Sequence, residues 1–130
     1  MVHRPRVPEP GDLHIGPDHL EVAADRGALA AILDARGRHR EAQQTLRHVL
    51  SVIEIVLGPD HYEVAATLDR LAASAQHTGD YAQAASLHER SLAIKRRILG
   101  PGHADVAETS ARLAECRAEV PRGDGDERTG

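Results

Sequence analysis

Apolar residues recur at helical spacing through most of this chain, and the pattern stops and restarts. From Asp18 to Arg36, the residues Val22, Ala23, Leu29, Ala30, Ile32 and Leu33 return at intervals that keep them on one side of a 3.6-residue turn. Gly37 ends the run, because glycine accepts the left-handed backbone found just past a helix end. A second stripe follows from about Arg38 to Leu57, through Ala42, Leu46, Val49, Leu50, Ile53, Val56 and Leu57. The third run, Asp60 to Thr78, stops at Gly79. Asp80 and Gln83 then form a capping pair for a fourth helix that reaches Leu99 through Tyr81, Ala84, Leu87, Leu92, Ile94 and Ile98. A fifth, from about His103 to Glu119, carries Val106, Ala107, Leu113 and Ala114. The pattern predicts five helices and an all-α fold.

The junctions repeat as well. Gly16-Pro17-Asp18-His19, Gly58-Pro59-Asp60-His61 and Gly100-Pro101-Gly102-His103 begin at residues 16, 58 and 100, an interval of 42. A fixed interval means one structural unit stacked on itself. Gly-Pro closes one helix, and Asp60 with Glu63, like Asp18 with Glu21, is placed to cap the next. Helix, glycine turn and helix make an antiparallel hairpin. The expected organisation is a lead over residues 1–15, repeats at 16–57 and 58–99, a half repeat at 100–120, and a tail at 121–130. Pro5, Pro8 and Pro10 argue for an extended, disordered lead, and the Gly-rich, charged residues after Pro121 for a disordered tail. That makes two and a half hairpins.

Composition narrows the chemistry. Tyr62 and Tyr81 are the only aromatic residues of the Phe, Trp and Tyr class, so the core must be built from Leu, Ile, Val and Ala. The net charge of −4 argues against a nucleic-acid surface, which needs a concentrated basic excess. Lys95-Arg96-Arg97 is the one dense basic cluster, and its place in the last turns of a helix predicts a solvated face that complements the dipole. Cys116 stands alone, which excludes an internal disulfide and points to a reducing compartment. No signal peptide or apolar span is evident, so a cytoplasmic location is expected and a membrane partner is not.

The pairs Leu71-Ala72 and Gly79-Asp80-Tyr81, followed by Ala84 and Leu92, resemble the tetratricopeptide repeat, as do Leu29-Ala30, Gly37, Ala42 and Leu50 in the first unit and Leu113-Ala114 in the third. The 42-residue period and the Leu-Gly-Pro-Asp-His junction are similar to the kinesin light chain type of that repeat. The resemblance implies a right-handed α-α superhelix, a solenoid, with the first helix of each hairpin lining a concave face. It also implies a role as a protein-interaction module. One departure matters: the asparagine pair by which many relatives hold a peptide backbone is replaced by Gly27-Ala28, Asp69-Arg70 and Ala111-Arg112.

Candidate chemistry beyond that is thin. His19, His61 and His103 recur once per repeat, too far apart to converge on a metal, and fit junction capping better. His88 is expected as a partly buried packing residue with a satisfied nitrogen. Cys116 lacks an evident base and is expected to be core filler. Arg122-Gly123-Asp124 matches an adhesion tripeptide without context to support it. No catalytic residue, metal ligand or cofactor site is expected, and the chain is not expected to be an enzyme. The expected function is a non-catalytic interaction module or scaffold that binds a protein or peptide on the concave face through Ala31, Asp34, Ala66, Asp69, Arg70, Ala73, Gln76, His77, Glu108, Arg112 and Glu115. The alternative is a self-associating assembly or regulatory segment that works with a signalling or transcription protein, with a homodimer formed through an open end of the solenoid. In either case the stripe holding Val106, Leu113 and Cys116 is expected to face solvent or serve as a cap.

Overall fold

The computed structural model describes residues 17–121, which form five α-helices joined by short turns. They are α1 (Pro17–Ala35), α2 (His39–Leu57), α3 (Tyr62–His77), α4 (Tyr81–Leu99) and α5 (Ala104–Glu119). The lead at 1–15, the tail after residue 121 and the Arg122-Gly123-Asp124 tripeptide lie outside the described residues. Among the described helices, none is long and apolar enough to cross a membrane.

Four glycines set the joints. Gly37 and Gly79 have φ of 80° and 79° inside the two hairpins, and Gly58 and Gly100 have φ of 96° and 89° between them. All four lie in the region that side-chain-bearing residues rarely enter, which is why each helix stops there. The caps differ in part from expectation. Asp80 accepts a hydrogen bond from the Gln83 amide at 3.3 Å, as its sequence predicts. The cap of α3, however, is His61 rather than Asp60. His61 Nδ1 accepts from the Glu63 amide at 3.0 Å, and His103 Nδ1 accepts from the Asp105 amide at the same distance. An imidazole one residue after the aspartate reaches the orphan amide and releases the carboxylate. Asp60 instead accepts from Arg97 Nη1 at 2.8 Å, linking the end of α4 to the α2–α3 junction.

Each helix packs against its neighbours in sequence, α1 on α2, α2 on α3, α3 on α4 and α4 on α5. The core runs through the stack as an aliphatic seam: Ala30, Leu33, Ala42, Leu46 and Leu71 at one place, Val49, Ile53, Val64, Leu68 and Ile94 at another, and Ala75, Ala84, Leu92, Val106, Leu113 and Cys116 at the far end. Small residues at the contacts let the helix axes approach closely. The first stripe is only half used: Ala23, Ala30 and Leu33 are buried, while Val22, Leu29 and Ile32 are exposed because no helix lies against that side of α1 among the described residues. Of the two arrangements expected for the last stripe, the described residues show the one in which α5 covers the end of the stack. Val106, Leu113 and Cys116 are buried against α4 and do not face solvent. Burial pushes the Cys116 thiol up from its ordinary pKa, which fits an inert core position.

The second hairpin carries polar groups where the first is apolar. One period apart, His88 stands for Leu46, Ser91 for Val49 and Lys95 for Ile53, and all three are buried. Lys95 is only 5 % exposed, so the expected solvated cluster at 95–97 holds for Arg96 and Arg97 but fails at its first residue. Asp69 makes this arrangement tolerable. Its carboxylate accepts from Lys95 Nζ at 2.7 Å and pairs with His88 Nδ1 at 2.9 Å, and Lys95 also donates to Thr109 Oγ1 at 2.9 Å. A buried ammonium without such partners would be prohibitive. His88 is fully buried rather than partly so, and its Nε2 has no hydrogen-bond partner.

Candidate functional site

A groove runs between α1 and α3 over a floor supplied by α2. Its wider part, about 310 Å³, is lined by Gly27, Ala30, Ala31 and Asp34 from α1, Leu46 from α2, and Arg70 and Ala73 from α3. An adjoining hollow of about 200 Å³ continues past Ala24, Val49, Ile53, Glu63 and Thr67, sharing Gly27 and Arg70 with the first. The groove exists because the walls are small residues: α1 presents Gly27 and Ala31 where longer side chains would meet α3. A Cβ placed on Gly27 would stand 3.6 Å from Arg70 Nη1, so this position accepts one methyl group and little more. The surface is mainly apolar with one cation, Arg70, set between the carboxylates of Asp34 and Glu63. Such a surface suits the side of a peptide or helix, since apolar area supplies the drive and the separated charges fix orientation.

The structure brings together four of the eleven residues expected at a partner surface: Ala31, Asp34, Arg70 and Ala73. Ala66 and Gln76 lie half-buried on α3, and His77 is exposed at its last residue. Glu108, Arg112 and Glu115 are exposed on α5 and form no part of the groove wall. Asp69 has a different occupation. Its side chain is 20 % exposed and is held by His88 and Lys95. Burial alone would raise its pKa, but the hydrogen bonds from His88 and Lys95 outweigh that and hold the carboxyl below the usual range. It is a structural anion, and its partners are inside the protein.

Sequence reasoning missed the groove floor, Leu46, and the groups that hold Asp34. His39 Nδ1 is 2.6 Å from Asp34 Oδ1, and Ser74 Oγ donates to the same oxygen at 2.8 Å. Ser74 also donates to the His39 carbonyl at 3.1 Å, while Gln43 Nε2 donates to the Ser74 carbonyl at 3.2 Å. A signal was present: Ser74 interrupts an apolar stripe at the position where the other two repeats have Ile32 and Cys116.

The family model for the tetratricopeptide repeat matches residues 23–96 and 63–120. The chain belongs to the tetratricopeptide repeat family. The two matched spans overlap and together cover every described helix in whole or in part, so the hairpins derived from packing are tetratricopeptide hairpins. Repeats of this family mediate protein–protein interaction and are typically non-catalytic. The curated proteins contain no match to the chain.

Proposed function

We propose that this tetratricopeptide protein is a non-catalytic, cytoplasmic interaction module or scaffold that binds a segment of a protein partner in the groove between α1 and α3. The observation that carries this reading is the convergence of Ala31, Asp34, Arg70 and Ala73 on one apolar channel. The asparagine clamp being absent, backbone capture of a generic extended peptide is disfavoured, and a helix or strand edge lying along the small residues fits better. Arg70 would pair with an acidic group of the partner, and Asp34 with a basic one. The test is affinity capture from lysate with the wild-type chain, Ala73→Arg and Arg70→Glu, compared by mass spectrometry. Loss of the same captured partner from both variants supports the groove; equal capture by all three moves the interface elsewhere.

A second reading draws on a different observation. Val22, Leu29 and Ile32 form an exposed apolar stripe on the outer side of α1, and exposed apolar stripes of this kind mark protein contacts. Self-association through this open end would cover it. Light scattering across a range of protein concentrations decides: a monomer throughout removes this reading and leaves the groove reading intact.

A further inference from the structure

Three side chains that the repeat does not require meet where α1 ends, α2 begins and α3 ends. One carboxylate oxygen of Asp34 and one ring nitrogen each of His39 and His77 lie within 4.8 Å of one another. The two imidazole rings have centroids 4.6 Å apart with their planes inclined by 43°. One period further along, the same three positions hold Gln76, Tyr81 and Glu119, and that hairpin folds as well. The trio is therefore a property of this place and not of the architecture.

From this geometry we infer a binding site for one divalent zinc ion, with Asp34, His39 and His77 as its protein ligands and solvent or a partner group in the fourth position. Bonds of about 2.0–2.1 Å at tetrahedral angles put zinc ligands roughly 3.3 Å apart. The atoms here lie between 2.6 Å and 4.8 Å from each other, so modest rotation brings them to that spacing. His77 is exposed at the end of its helix and has room to turn. Asp34 is held by the hydrogen bond from Ser74 Oγ, the kind of outer support that orients a metal-binding carboxylate. Two nitrogens and one oxygen suit zinc, whereas magnesium and calcium require a shell of oxygens. The ion would displace the proton shared by His39 and Asp34 and would tie the first hairpin to the second through three helix ends. Because Asp34 also lines the groove, a bound cation would offset the negative charge at that end. The site does not depend on what occupies the groove.

The test is calorimetric titration of the full chain with zinc chloride and, separately, magnesium chloride, together with thermal unfolding in each. One zinc per chain, a rise in melting temperature with zinc only, and at least tenfold weaker binding in His77→Ala, His39→Gln and Asp34→Asn are expected. His77 is exposed, so its variant keeps the native circular dichroism spectrum and isolates the ligand from the fold. Absence of saturable binding overturns the inference. So does zinc binding that His77→Ala leaves unchanged, since the ion would then belong to other histidines of the chain.

Discussion

The two ends of the helical stack present opposite surfaces although they are built from the same repeat position. Leu29, Leu71 and Leu113 are related by the 42-residue period: Leu71 is fully buried, Leu113 is 5 % exposed and Leu29 is 48 % exposed. On α5 the apolar side is turned inward onto α4, and the exposed residues are small or charged, among them Ala107, Ala111 and Arg112, with Arg117 paired to Glu89 of α4. On α1 the inward side is Ala23, Ala30 and Leu33, and the side away from the stack still shows Val22, Leu29 and Ile32. Among the described residues, one end is finished in small and charged groups and the other retains the face of an interior unit. A solenoid whose outer face remains apolar calls for a covering element, while a polar outer helix does not.

The largest expected effect is at the buried cluster of the second hairpin. Asp69→Ala would strand the buried Lys95 ammonium and should cost about 3–5 kcal/mol in urea unfolding, as breaking one side of a buried ion pair does. Asp34→Ala, in the first hairpin, where the partner His39 is part-exposed and no buried ammonium is stranded, should cost only about 1–2 kcal/mol. Equal losses would mean that the two clusters are equivalent and that the asymmetry is only on the surface. Next comes the leucine pair. Leu113→Ala should lose about 2–5 kcal/mol, whereas Leu29→Ala in a dilute monomer should lose less than about 0.5 kcal/mol. A large loss at Leu29 would show that its side is covered in solution.

Acid sharpens the contrast further. Because Asp69 has its pKa held below the ordinary carboxylate value, its stabilising contribution is complete above about pH 4. It disappears as pH falls through the native pKa and the carboxylate is protonated beside Lys95. Urea midpoints should therefore fall as the pH drops below about 4 in the wild type, and less steeply in Asp69→Asn. The smallest change is in assembly alone: Leu29→Arg should leave the melting temperature within a degree or two while removing any concentration-dependent dimer seen by light scattering.

Helix positions, the hairpin turns and the stacking order were legible because they depend on local signals: glycine at each stop, an apolar period within each run, and a repeat of whole junctions. Burial was less legible, because it depends on which helix lies against which side. Val22 and Leu29 look like core in sequence and are surface because, among the described residues, α1 has a neighbour on one side only. Lys95 looks like surface because its neighbours Arg96 and Arg97 are. Aligning it one period back onto Ile53 would have exposed the conflict, and Asp69, opposite Gly27 in the same alignment, would have supplied the counter-charge. The groove was half legible: its α1 and α3 walls follow from helical phase, but Leu46 reaches it from α2 across a contact that no periodicity within one helix encodes.

Contacts in this protein link each helix chiefly to those before and after it, so little of the native structure waits on the meeting of distant parts of the chain. Such a low contact order favours rapid folding, on the microsecond to millisecond scale. It also means that opening can begin at α1 or α5 without disturbing α3, which is flanked on both sides. Amide exchange should therefore be slowest in the middle helix and quicken toward either end, and the α1 wall of the groove belongs to the part that opens first.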